Sequence, residues 1–186
     1  LASVLSLARK ARVFLHPAAL LAKYARDSDG RGRAIGMPRR CRVALSRHAA
    51  GAVPTERVSE VMQGVFVTGE VPRTTDFEET GGTFFSNAAC TAPDPLTDDQ
   101  ALFFDLPDGP VVVLGCAHAG PINTLLRVTQ LTGKPVHTVL GGMHLVNAGP
   151  SRMAKTIESL RQMGVQRIGL AHCTGAHATE TLQDAF

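Results

Sequence analysis

The sequence predicts a mixed α/β fold, and three observations carry that expectation. Residues 107–186 alternate short β-branched runs with helical stretches of about a dozen residues, as strand, helix, strand, helix, strand. Crossovers of that length imply parallel neighbouring strands. The three strands also end alike, in Leu114-Gly115-Cys116-Ala117-His118, Leu140-Gly141-Gly142-Met143-His144 and Ile168-Gly169-Leu170-Ala171-His172.

Taken in order, Ser3–Ala11 is helix-compatible and Arg12–Leu15 reads as a short strand. Pro17 suits the first position of a helix over Ala18–Ala25. Residues 1–26 hold five basic residues and no acid, a composition that superficially suggests a transit peptide. A basic amphipathic helix followed by a strand accounts for it. Asp27 to Arg42 lacks an apolar period and reads as loop. Arg57–Met62 and Val65–Val67 read as strands, with irregular stretches over Gly69–Gly82 and Ser86–Asp99. No linker interrupts the chain, so one domain over residues 1–186 is expected, with an irregular insertion around 27–56.

The second half is better patterned. Val111–Leu114 is a strand, followed by a helix opened by Pro121 and closed by Gly133, with Ile122, Leu125, Leu126 and Thr129 at helical spacing. Val136–Leu140 is the next strand. The helix from about Arg152 to Met163 carries Met153, Ile157 and Leu160 on one face and stops at Gly164, before the strand Val165–Leu170.

Composition excludes several classes. Of 186 residues, 44% are hydrophobic and 19% charged, and no apolar run approaches the roughly eighteen residues of a membrane span. The four cysteines form no C-x-x-C pair or disulfide framework, so reduced thiols in a cytoplasmic protein are expected. The net charge of +3 is uneven: residues 1–66 hold 12 basic and 4 acidic residues, residues 67–186 hold 7 and 12. The basic half is densest at Arg31, Arg33, Arg39, Arg40, Arg42 and Arg47. Guanidinium groups could grip phosphate there, yet no aromatic residue is interleaved for base stacking. A solvated surface is the expectation, with nucleic acid the alternative.

His118, His144 and His172 are the candidate metal ligands. Successive parallel strands end at one edge of the sheet, where α/β proteins place their sites. Imidazole is the commonest protein ligand for transition metals, and three of them leave a position open for water. His118 also precedes a helix whose positive end favours neutral, ligating imidazole. His16, His48, His137 and His177 share no such pattern. Cys173 follows His172, and a continuing strand would turn it to the opposite face.

Gly115-Cys116-Ala117-His118-Ala119-Gly120 with Asn123-Thr124, Gly141-Gly142-Met143-His144-Leu145 and His172-Cys173-Thr174-Gly175 together resemble the metallo-β-lactamase superfamily. The branch they resemble is the dihydropterin-aminobenzene-phosphate synthase-like one. Thr68-Gly69-Glu70-Val71-Pro72-Arg73 with Phe77-Glu78, and Asp98-Asp99-Gln100-Ala101-Leu102, resemble its other recurring segments. The resemblance implies an αββα sandwich, incomplete here at both ends, because the H-x-H-x-D-H segment that supplies further ligands is absent from this sequence. It implies a metal-dependent, hydrolase-like enzyme with divalent metal, zinc, as two ions in the intact protein. His118 resembles a ligand of the first metal and His172 of the second, while His144 stands where the superfamily often has a bridging Asp. Such metals lower the pKa of bound water from 15.7 toward about 7 for attack on an ester, lactone, amide or phosphoester. In the synthase relative they are expected to stabilise an anion during a condensation. Glu70 and Arg73 are candidates for binding a small anionic substrate, the alternative for Arg73 being a salt bridge with Glu70 or Glu78. No catalytic acid or base is assigned, and no oligomeric state follows. Two other readings remain: a catalytically incomplete remnant with exposed apolar sheet edges, and an RNA-binding or RNA-processing protein using the Arg-rich half.

Overall fold

The computed structural model describes residues 1–79 and 83–186, in two compact units. Thr80, Gly81 and Gly82, the last three of the stretch expected to be irregular, lie outside the described residues.

The first unit takes in residues 1–56 and the described part of 82–98. It contains α1 (Ala2–Leu7), β1 (Val13–Leu15), a 3-10 turn (Pro17–Leu20), β2 (Tyr24–Arg26), β3 (Gly32–Ala34), α2 (Arg39–Ser46) and β4 (Ala52–Pro54). In chain order β5 and β6 belong to the second unit, and β7 (Phe84–Phe85) returns to the first. β1 and β4 pair in parallel, and β2 pairs antiparallel with both β3 and β7. Leu5, Leu15 and Leu45 form a small core between α1, β1 and α2.

Two sequence expectations change here. The helix over Ala18–Ala25 is a single 3-10 turn followed by β2, because pairing on both edges of β2 outweighs the helix propensity of an alanine- and leucine-rich stretch. The loop over Asp27–Arg42 contains β3 and the start of α2. On α2, Cys41 and Leu45 are buried while Arg39, Arg40 and Arg42 are exposed, so the arginines form the solvated face of an amphipathic helix. Lys23 is buried between Asp94 at 2.7 Å and Asp98 at 2.8 Å.

The second unit holds residues 57–79 and 99–186. Its six-stranded sheet uses β5 (Ser59–Met62), β6 (Val65–Val67), β8 (Leu102–Phe104), β9 (Val111–Leu114), β10 (Thr138–Gly141) and β11 (Arg167–Leu170), in the order β11-β10-β9-β8-β6-β5. β9, β10 and β11 run parallel, as expected from their long crossovers. β8, β6 and β5 add antiparallel on the other side. β8 has no counterpart in the sequence reading.

α3 (Pro121–Thr132) and α4 (Pro150–Gln162) are the crossovers, and α5 (Ala176–Ala185) closes the chain. Gly133 ends α3 in the left-handed conformation at φ +69°, the expected glycine stop. The buried face of α3 is Ile122, Leu125 and Val128, while Leu126 is turned outward. On α4 it is Met153, Thr156 and Leu160, with Ile157 only partly covered. Val112, Leu125, Val128, Val139 and Leu160 are fully enclosed, each contributing about 1.5–3 kcal/mol of apolar burial. Among the described residues no helix is long and apolar enough to cross a membrane.

Candidate metal centre

Leu114, Gly141 and Leu170 are register partners, so β9, β10 and β11 stop at one level. The turns that follow carry His118, His144 and His172. All three turns depart from ordinary backbone: Ala117 (φ +54°), His144 (φ +48°) and His172 (φ +52°) are left-handed without being glycine. Such residues cost of order 1 kcal/mol or more each and cluster at functional sites.

The His118 turn is held from several directions. α3 starts at Pro121, and Glu78 accepts the amide hydrogens of Ile122 and Asn123, each at 2.8 Å, so its carboxylate occupies the positive end of the helix. Burial pushes the Glu78 carboxyl above its ordinary range, against the pull of those amides, the Thr75 hydroxyl and nearby Arg152. Asn123, 1% exposed, accepts from the Thr74 and Thr75 amides at 2.8 and 3.0 Å and donates to the Ala119 carbonyl at 2.9 Å. Asp99 accepts the Ala119 amide hydrogen at 2.7 Å. Burial raises the Asp99 carboxyl, opposed by that bond, by His118 and by Arg73. Arg73 Nη1 donates to the main-chain carbonyl of His118 at 2.6 Å.

The other two turns are tied together. The Met143 amide donates to Thr174 Oγ1 at 3.1 Å, and that hydroxyl donates to the Ala171 carbonyl at 2.9 Å. The Val146 amide donates to the Cys173 carbonyl at 3.3 Å. Gly142 lies under this junction, where a Cβ would come within 2.6 Å of the Gly115 carbonyl oxygen and 2.7 Å of Cys173 Sγ.

The histidines fall into two groupings. The His118 and His144 rings lie 4.3 Å apart between centroids, tilted by 47°. His172 instead forms a group with Cys116 and Cys173, their ligand atoms all within 4.8 Å of one another. Strand alternation fails at Cys173 because β11 ends at Leu170 and a 3-10 turn over His172–Thr174 follows. Burial first, and neighbouring Cys173 next, push the Cys116 thiol up to about 11. Arg73 and Glu70 are both exposed. Asp99 and Cys116 were not chosen from sequence; for Asp99 the available signal was its place in a recurring segment, for Cys116 its spacing from His118.

No family model matches the chain. The chain is 30% identical over 131 residues to the 7,8-dihydropterin-6-methyl-4-(beta-D-ribofuranosyl)-aminobenzene-5'-phosphate synthase of Methanocaldococcus jannaschii, a match covering 68% of this chain and 45% of that enzyme. The crystal structure of a metal-dependent hydrolase of the beta-lactamase superfamily superposes with a TM-score of 0.80 and 26% identity, covering 94% of this chain and 65% of that one. The chain thus spans less than half of the synthase and about two thirds of the hydrolase. The chain therefore has a metallo-β-lactamase-like fold, and it is similar in sequence to the dihydropterin-aminobenzene-phosphate synthase.

Proposed function

We propose that the chain forms part of a divalent-metal enzyme, with zinc as the metal and two ions in the whole protein, acting on a small anionic substrate in the cytoplasm. The observation that carries this reading is the pairing of the His118 and His144 rings at 4.3 Å beyond the level ends of parallel strands. The donor set fits such a group, since neutral imidazoles and thiols are ligands for zinc-class ions. His118 and His144 would hold one ion and His172 would contribute to the second. Bound there, the metal would act as a Lewis acid, lowering the pKa of water for a hydrolase-like step or stabilising an anion in a synthase-like one.

The chain's own residues set the surroundings. Arg73 fixes the His118 turn through its carbonyl and keeps an exposed guanidinium nearby that suits a carboxylate or phosphate. Glu78 already fills the N-terminus of α3, so that helix end is not offered to substrate. Glu70, exposed on the same segment, is proposed to orient the substrate's polar groups. Nucleic acid and membrane form no part of the proposal: Arg33 is paired with Asp27 at 2.9 Å and Arg31 with Asp29 at 3.6 Å, which reduces the positive field of the Arg-rich stretch.

Elemental analysis of the purified chain, dialysed at neutral pH, tests the reading. One or two equivalents of metal are expected, falling in His118→Ala and in His144→Ala. A folded chain without metal supports the incomplete-remnant reading instead, and metal content untouched by both substitutions overturns the assignment.

A further inference from the structure

We propose that Cys116, His172 and Cys173 form a sulfur-rich site that binds a thiophilic divalent ion of the zinc and cadmium class, leaving one coordination position open. The two thiols and the imidazole come from the ends of two strands, β9 and β11, separated in the sheet by β10. Their donor atoms nevertheless lie within 4.8 Å of one another. Ligand atoms around one tetrahedral zinc, with Zn–S about 2.3 Å and Zn–N about 2.0–2.1 Å, are separated by about 3.5–4 Å, so closure asks the donor atoms to approach by about 1 Å. Gly142 makes the convergence possible, because a side chain there would collide with Cys173 Sγ and the Gly115 carbonyl.

The charge balance favours the same ligand. Two thiols lose their protons to solvent as two metal–sulfur bonds form, and the two thiolates neutralise the dication. Cys116 and Cys173 are half-buried, so a neutral assembly avoids the cost of an uncompensated charge there. Cys173 Sγ donates to the Cys116 carbonyl oxygen at 3.5 Å, and a thiol is a weak donor whose bond is readily surrendered. Two soft ligands with one imidazole select zinc, cadmium or cobalt over magnesium or calcium. Three protein ligands with a fourth position open are the pattern of a reactive rather than a purely structural zinc site. The inference shares His172 with the proposed function and is otherwise independent of it.

Cobalt and cadmium titrations of the reduced, metal-free chain, kept anaerobic with a non-thiol reductant, provide the test. One equivalent is expected to bind with a thiolate-to-metal charge-transfer band. Cys116→Ser, Cys173→Ser and His172→Ala should each weaken cadmium binding by about tenfold or more. His118→Ala and His144→Ala should retain the band, as should Cys41→Ser and Cys90→Ser, whose buried thiols lie in the other unit. Circular dichroism on each variant separates loss of a ligand from loss of fold. Metal bound without a thiolate band, a band that survives the Cys116→Ser/Cys173→Ser double substitution, or no binding at all overturns the inference. If metal is lost in His118→Ala but kept in both serine variants, this site fails while the proposed function stands; the reverse pattern keeps this site and removes the other.

Discussion

The Glu78 carboxylate occupies the space that a side chain at Gly120 would need, and from there it accepts the first amides of α3. A Cβ on Gly120 would meet both the carboxylate and the Glu78 Cβ, and the residue also holds φ +104°. Gly120→Ala is therefore expected to destabilise the chain by about 2 kcal/mol or more through steric conflict and backbone strain. Urea unfolding checks this, and an unchanged midpoint would show that the helix end can shift without cost.

Asn123 joins the Thr74–Thr75 segment to the turn that carries His118. Asn123→Ala leaves two amide donors and a carbonyl without this partner, at about 1–3 kcal/mol for each group that stays buried. Amide hydrogen exchange at Thr74 and Thr75 should speed up, and the melting temperature should fall. Slow exchange retained at both positions would contradict the role.

Burial raises the Glu78 carboxyl above the ordinary value of 4.5. Between that value and the raised one, the folded chain binds more protons at this site than the unfolded chain does. The contribution of Glu78 to stability therefore falls as pH rises through the window, and is most favourable below it. Carbon-13 NMR of the side-chain carboxyl should give a midpoint above 4.5, and a midpoint at or below 4.5 refutes the assignment.

Lys23 stands between two acids, with side-chain exposures of 10% for Lys23, 10% for Asp94 and 19% for Asp98. Burial pulls the Lys23 ammonium down, but its bonds to Asp94 and Asp98 outweigh this and raise it overall. Its stabilising contribution is thus fully present below 10.5 and is lost as pH climbs through the raised value. Lys23→Met leaves the two carboxylates facing each other, and a loss of about 3 kcal/mol is expected in thermal or urea unfolding. A loss below the error of the measurement would mean that solvent already screens the trio.

The parts of the fold legible in the sequence are those whose local chemistry and tertiary role agree. Pro121 and Gly133 bracket α3 because each suits its helix end, and the valines of β9 suit a strand paired on both sides. β2 was hidden because its residues favour helix by themselves, and only β3 and β7 make them a strand. α5 was hidden because its buried stripe is only Ala178 and Leu182. At the candidate site, the placement of the three histidines just beyond level strand ends was legible from a repeated strand-end pattern. The split between His118–His144 and His172 was not, since it depends on how three turns bend after the strands stop. Asp99 acts on a turn twenty residues away, a relationship no local periodicity encodes.

The left-handed turn residues bear on how this protein could be engineered. Ala117, His144 and His172 hold a backbone that glycine would adopt with less strain, and Ala117→Gly offers relief of about 1 kcal/mol at the first of them. A directed-evolution campaign selected only for heat resistance would be drawn toward such replacements, loosening the turns that aim the histidines. Thermostable variants of this chain are best sought on the exposed faces of α4 and α5, with those three positions held fixed.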